Sequence, residues 1–422
     1  MKKIIIGGCM ACLVAVGAYA QSGTNSPYSQ FGIGVLSDAS QGFSRGMNGV
    51  GLGLRQGNII NAQNPASYSA VDSLTMIFDV GLMGQKTNFK EGNVSVNANN
   101  ANVEYAVGSF RLLPRVGLAF GILPYSNVGY KYTTSKYLDA TNGTVVETYN
   151  GSGGLRQAFL GLGWQVTSQL SVGANVGFLW GVMERTLQTS NTTYVNSLKK
   201  SYSVTVNNYK ADLGVQWTQP INNSDVLTLG ATVGIGHKLG ADLSHTIINL
   251  STADTTQTII EDAISLPMTY AVGATWSHER KLIVGADFHL ERWGALDFPD
   301  HSATGFGLRS GVLKDRYQVN AGLDYVPNAT DMRHFLSRVH YRCGLGFATP
   351  YYNIDGKSGP KEFSVSAGFG IPLQNAYNHR SVLNISAQWA HTSADNLIRE
   401  NTFRINVGLT FNERWFAKWK ID

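Results

Sequence analysis

The chain has 422 residues, with 33 Lys or Arg against 28 Asp or Glu and a formal net charge of +5. Charged residues make up only 14%, well below the roughly 25% of a soluble globular domain, while 47 glycines and 11% aromatic residues are a rich supply. So slight a basic excess argues for no nucleic-acid partner.

Residues 1–20 read as a secretory signal. Lys2 and Lys3 form the charged start, Ile4 to Val16 the apolar core, and Ala18-Tyr19-Ala20 the cleavage site. The apolar run is too short and too early for a membrane-spanning helix. Cys9 and Cys12 raise a lipoprotein reading, but Cys9 follows almost no apolar core and Cys12 has apolar residues still to come. Cleavage after Ala20 leaves Cys343 as the one cysteine, which excludes an intramolecular disulfide and a cysteine zinc site.

Residues 21–72 form a segment ahead of the first strand. Within it Gly42, Gly46, Gly49, Gly51, Gly53 and Gly57 are too dense for a helix or an ordinary strand. Met47, Val50, Leu52, Leu54, Ile59 and Ile60 are nevertheless too many for a solvated linker. Such a stretch suits close backbone packing inside something else. Near its end Asn64 can cap, and Pro65 can open, a short helical turn that continues through Ala66.

Residues 73–422 carry repeated period-two alternation. Leu170, Val172, Ala174, Val176, Phe178, Trp180 and Val182 oppose Ser171, Gly173, Asn175 and Gly177. Phe403, Ile405, Val407, Leu409 and Phe411 oppose Arg404, Asn406, Gly408, Thr410 and Asn412. A soluble sandwich would carry Lys and Glu on its second face; here that face is small and neutral. This predicts an all-β fold, a transmembrane antiparallel barrel with an apolar lipid face and a filled, polar interior.

Strands are expected near 74–87, 101–112, 115–133, 147–166, 169–187, 203–219, 225–245, 258–279, 280–293, 312–327, 338–350, 361–373, 380–392 and 402–416. That is about 14 strands. Mostly short connections follow the even ones and longer connections the odd ones, a rhythm that puts both termini in the periplasm.

The glycine-rich segment ending in Asn64-Pro65-Ala66, followed by a barrel, resembles the FadL family of outer-membrane transporters for long-chain fatty acids and other hydrophobic compounds. Further motifs carry the resemblance. Gly117-Leu118-Ala119-Phe120-Gly121-Ile122-Leu123-Pro124-Tyr125 looks like the family's third strand, interrupted at a Pro-aromatic step. Leu266-Pro267, the run Leu282 to Trp293, Gly322-Leu323-Asp324-Tyr325 and Cys343-Gly344-Leu345-Gly346-Phe347 follow in the family's order. Outer-membrane barrels often end on an aromatic residue, whereas here Ala417 to Asp422 follow Phe416.

The resemblance implies a monomer in the cell outer membrane, in contact with its lipid, that transports a hydrophobic small-molecule ligand. It implies a hatch in the lumen, bearing Asn64, Pro65 and Ala66, and a side opening at the third strand, marked by Gly121, Pro124 and Gly129. Pro124 lacks a ladder donor and the two glycines lack side chains, so pairing should weaken there. Equally, Pro124 can lie beyond the membrane, where a bend costs little. If Asn64-Pro65-Ala66 lies against this break, hatch and wall control release together.

Asp287, His289 and Glu291 alternate on one strand and share the lumen face, as a metal or catalytic cluster would. The ordinary reading is lumen polarity balanced by Arg292 or Arg316. Asn191 and Asn249 head sequons that chance explains in polar loops. The tryptophans, Trp164, Trp180, Trp217, Trp276, Trp293, Trp389, Trp415 and Trp419, suit interfacial girdles. No serine or histidine arrangement stands out as nucleophile and base, so no catalytic residue, metal or cofactor is expected. Two rivals to transport remain. One is a FadL-like scaffold or shuttle barrel that holds proteins of the type IX secretion system; the other is an outer-membrane lipid-modifying enzyme.

Overall fold

The computed structural model describes residues 23–139, 143–191, 197–302, 305–331, 333–373 and 381–414. The signal sequence and the extension after Phe416, with Trp415 and Trp419, lie outside the described residues.

Fourteen antiparallel strands close into a barrel. They are β1 (Thr75–Glu91), β2 (Val94–Leu113), β3 (Val116–Asp139), β4 (Gly143–Gln165), β5 (Leu170–Asn191), β6 (Leu198–Pro220) and β7 (Asp225–Gly234). There follow β8 (Thr269–His278), β9 (Leu282–Glu291), β10 (Arg316–Tyr325), β11 (His340–Ala348), β12 (Lys361–Leu373), β13 (Ser381–Ser393) and β14 (Arg399–Arg414). Each strand pairs with the next, and β1 pairs with β14 from Thr75↔Arg414 to Lys90↔Arg399, which closes the ring. Where the ladders are complete, closure leaves no strand edge to face lipid.

The alternation sorts the two faces as the sequence predicts. Val176, Phe178 and Val182 of β5 point outward, while Ser171, Asn175, Leu179 and Met183 are buried. On β14 Phe403, Ile405, Val407, Leu409 and Phe411 face out, and Asn406, Thr410 and Asn412 face in. Replacing Val233 or Val407 by Arg near the bilayer midplane should therefore cost roughly 2–4 kcal/mol. Thr232→Ser should be close to neutral. Folding titrations into liposomes check this; equal, small effects at all three positions would contradict the orientation.

Two expected strands are shorter than the sequence suggests. The stretch 225–245 splits into β7 and a separate strand Leu243–Asn249, and 258–279 splits into Thr255–Ile260 and β8. Between the pieces the chain turns inward and buries Leu239, Ala241, Ile264 and Leu266. Gly240 takes a left-handed conformation (φ +57°) in one of these turns, and Pro267 has no N–H for a ladder in the other.

Wall height is uneven. Strands β3 to β6 have 22–24 residues, whereas β7 to β10 have 10 each. One rim carries the short turns, and the long strands rise beyond the other. The described chain begins at Gly23, buried beside Asn102 and Asn127 in the loop-side half of the wall. From there it descends through the lumen to a 3-10 turn, Pro65–Ala70, and only then starts β1. The described N-terminal part therefore starts on the long-strand side of the barrel and not on the short-turn side. Hairpin lengths orient the strands, but they carry no information about a segment that precedes them.

Candidate functional site

The lower lumen is filled by residues 40–71. Asn64 caps the turn by accepting from Ala66 N–H at 3.1 Å, with Pro65 at its first position. The Asn64 amide also donates to Leu52 O and Val215 O, which ties the plug to β6. Gln216 of β6 donates to Leu52 O and Leu54 O. Three strands further round the wall, on β9, Asp287 accepts from Gly51 and Leu52 N–H at 2.6 and 3.0 Å. Arg45 pairs with Glu104 at 2.9 Å, both nearly fully buried. Arg342 pairs with Asp324 at 2.9 Å, donates to Asn384, and lies 4.1 Å over the Phe43 ring.

The plug rests on a glycine row. Gly117, Gly163, Gly173 and Gly214 are in register on β3, β4, β5 and β6. A β-carbon at Gly117 would overlap Tyr68 O, at Gly173 the Pro65 backbone, and at Gly230 Leu52 O. The sequence showed a small inner face but gave no sign that its glycines line up as a seat. Once strands are registered, the recurrence of Gly near each short turn is the signal.

Asp287, His289 and Glu291 do not act as a cluster. Asp287 is committed to the plug, while Glu291 accepts from Arg316 and Trp293 at 2.6 Å each. The expected balance by Arg316 holds; Arg292 pairs instead with Asp315.

Above the plug the wall is split. Pairing between β2 and β3 runs from Leu113↔Val116 and ends at Ala106↔Ile122. Beyond that point β2 keeps its pairing with β1, and β3 its pairing with β4, but the two no longer pair with each other. Gly121 sits at the top of the joined part, opposite Val107. Pro124 lies just above it, next to a bulge against β4, and Gly129 is higher on β3.

Part of the N-terminal segment lies in the split. Val35 and Leu36 pair with Asn127 and Ser126, and Ser37 N–H donates to Tyr125 O. Gly129 N–H donates to Ser29 Oγ, and the Asn25 amide to Asn99 O on β2. This strap was not foreseen, since Val35-Leu36 is too short to read as a strand.

Asn64-Pro65-Ala66 is not against the split. The turn it opens meets β3 at Gly117, and Pro124 is seven residues, or about 23 Å, further along the strand. The expected partnership of these two elements fails on distance, and the strap occupies the place instead.

Behind the split lies a packed apolar cluster that includes Tyr28, Ile33, Leu155, Leu179, Trp293 and Tyr351. Tyr28 O–H donates to Ile398 O, and Ile33 N–H to Tyr351 O–H. The best-formed cavities among the described residues measure about 10 Å³ beside Tyr105 and about 20 Å³ beside Gly32 and Phe298. Each is the size of a water molecule.

Against the top of this cluster Tyr202 stacks on His245 at 4.6 Å and bonds to His301 at 2.9 Å, with Phe306 against all three. Burial first, then the charges of His301 and Lys200, holds His245 below its ordinary pKa; burial and then Lys200 do so at His301, with Asp300 opposing. The unfolded crown binds protons first, so its stability is full above about pH 6.5 and declines as pH falls below that. Hydrogen exchange over 243–249, corrected for intrinsic rate, should be faster at about pH 5 than at about pH 7.5. No change between the two would contradict the assignment.

The structure is similar to several solved barrels. The toluene transporter TodX of Pseudomonas putida aligns at a TM-score of 0.63 and 15% identity, over 90% of this chain and 100% of that one. The toluene transporter TbuX of Ralstonia pickettii aligns at 0.62 and 14%, over 90% and 99%. A FadL homologue of Pseudomonas aeruginosa aligns at 0.62 and 12%, over 90% and 99%. At such identities the likeness is one of fold. No curated protein matches the chain. A family model described as BamG spans residues 1–422, the entire sequence, and the chain belongs to the BamG family.

Proposed function

We propose that this protein passes hydrophobic small molecules, of the fatty-acid or hydrocarbon class, across the outer membrane and releases them sideways between β2 and β3. The observation that carries this reading is a packed apolar cluster lying directly behind a wall whose ladder stops at Ala106↔Ile122. Apolar solutes gain little from a water-filled pore and more from an apolar lining, which this cluster supplies once the strap moves aside. In this reading Asn64, Pro65 and Ala66 close the short-turn end, while Gly121, Pro124 and Gly129 mark the weakened wall. The strap holds the split closed, and the barrel works as a monomer surrounded by outer-membrane lipid, without catalysis. The solved transporters of similar fold support the reading.

Cysteines at Leu36 and Ser126, paired across the strap, test it in a Cys343→Ser background. Antiparallel partners lie about 4.5–5.5 Å apart at Cα, within disulfide reach. Oxidation should abolish uptake of radiolabelled toluene or oleate by cells, and reduction should restore it. Undiminished uptake through the cross-linked protein would refute the route.

A second reading has its own observation. The lumen is filled and its cavities are water-sized, which suits a sealed barrel that holds a protein partner, such as a component of the type IX secretion system. Absence of uptake by the uncross-linked protein, with a stoichiometric co-purifying protein in native mass spectrometry, would favour this reading over transport.

A further inference from the structure

The tall side of the wall ends in a flap. Strand Leu243–Asn249 pairs with Leu198–Val204 of β6 on one side and with Thr255–Ile260 on the other. Among the described residues Thr255–Ile260 has no second partner, so its far edge is open. Val204 lies sixteen residues up β6 from Pro220, roughly 50 Å along the strand, beyond the ~30 Å hydrocarbon core even with barrel tilt. The flap therefore stands in water.

Register identifies the open groups. Asn249 N–H bonds to Asp254 O, so the alternating ladder turns residues 254, 256, 258 and 260 toward the neighbouring strand. Thr255, Gln257 and Ile259 then aim their N–H and C=O groups outward. Native edges are usually blunted by Lys, Pro, a bulge or a covering element. This one has none of these: Thr-Thr-Gln-Thr-Ile-Ile is neutral, rich in β-branched residues and free of Pro and Gly, and Ile259 is 61% exposed. Asp254 stands at one end and Glu261 and Asp262 at the other, with Asp262 partly offset by Lys238 at 3.6 Å.

We propose that the open edge of Thr255–Ile260 is a docking site for an extended segment of another polypeptide, added as a further β-strand, with a neutral β-branched core and Lys or Arg at both ends. Strand addition satisfies the outward backbone groups, and the basic ends meet the acidic flanks. A second copy of this chain is the poorer occupant. Antiparallel self-pairing centred on Thr258 sets Asp254 of one copy opposite Asp262 of the other, a repulsive arrangement.

The test uses the full barrel in nanodiscs and a labelled synthetic peptide, Lys-Thr-Val-Thr-Val-Thr-Val-Lys, followed by fluorescence anisotropy. A control peptide replaces both Lys by Glu. Gln257→Pro removes an outward N–H without touching the inner ladder, where an edge tolerates proline. Binding should weaken at least about tenfold for Gln257→Pro, for Ile259→Lys and for the Glu-ended peptide. Unchanged urea melting of the variants confirms that the flap is intact; a variant that melts earlier is set aside in favour of the peptide comparison. Failure of the wild-type barrel to bind the Lys-ended peptide, or equal binding of the two peptides, overturns the proposal. A dimer in sedimentation that Gln257→Pro dissolves overturns it in favour of self-association.

Discussion

Replacing Arg342 by Met should lower barrel stability by about 3–5 kcal/mol, because it leaves Asp324 ionised and buried without its partner. Both side chains are only 1% exposed, and Asp324 keeps just the His340 imidazole, 2.8 Å away. The same change removes the donor to Asn384 and the cation over Phe43, so the plug loses an anchor as well as the wall. The double change Arg342→Met with Asp324→Leu should recover much of the loss, since two apolar groups no longer demand a charge. Urea melting of the folded barrel in vesicles measures both. A single change costing under about 1 kcal/mol, with no recovery in the double, would show that water reaches the pair and screens it.

Deleting residues 21–72 should turn a barrel of little conductance into a steady, cation-preferring pore. The plug occupies the lower lumen, and its removal exposes Asp79, Glu104 and Asp287 on the inner wall. Arg45 departs with the plug while its partner Glu104 stays, which tilts the local charge toward acid. The freed carboxylates gain water in exchange for lost partners, so the wall survives the change. Planar-bilayer recordings decide the matter. A large steady conductance from the intact protein would mean that the lumen is open despite its contents.

The barrel was legible because a two-sided wall imposes a two-residue period on every strand, and Val176, Phe178 and Val182 obey it in both sequence and space. The cap at Asn64 was legible because its cause is local, a side-chain oxygen and a proline in adjacent positions. The strap was not legible. Val35 and Leu36 gain strand geometry only from an edge on β3, ninety residues away in sequence. For the same reason the sequence leaves open whether Asn64-Pro65-Ala66 meets the break, and in the structure it lies lower, against Gly173 and Gly214. The split itself depends on where the β2–β3 ladder stops at Ala106↔Ile122, a property of two strands at once; Pro124 alone only hints at it.

The glycine row has a consequence for how the molecule is made. Its seat is formed by main chain lying on main chain, at Gly117 against Tyr68, Gly173 against Pro65 and Gly230 against Leu52. Contacts of that kind have no rotamer to swing aside and admit no threading through a finished ring. In the intact chain the zipping of β1 to β14 is therefore expected to occur around a plug already in position. The plug serves as a mandrel, and the chain order, with the plug preceding every strand, matches that sequence of events.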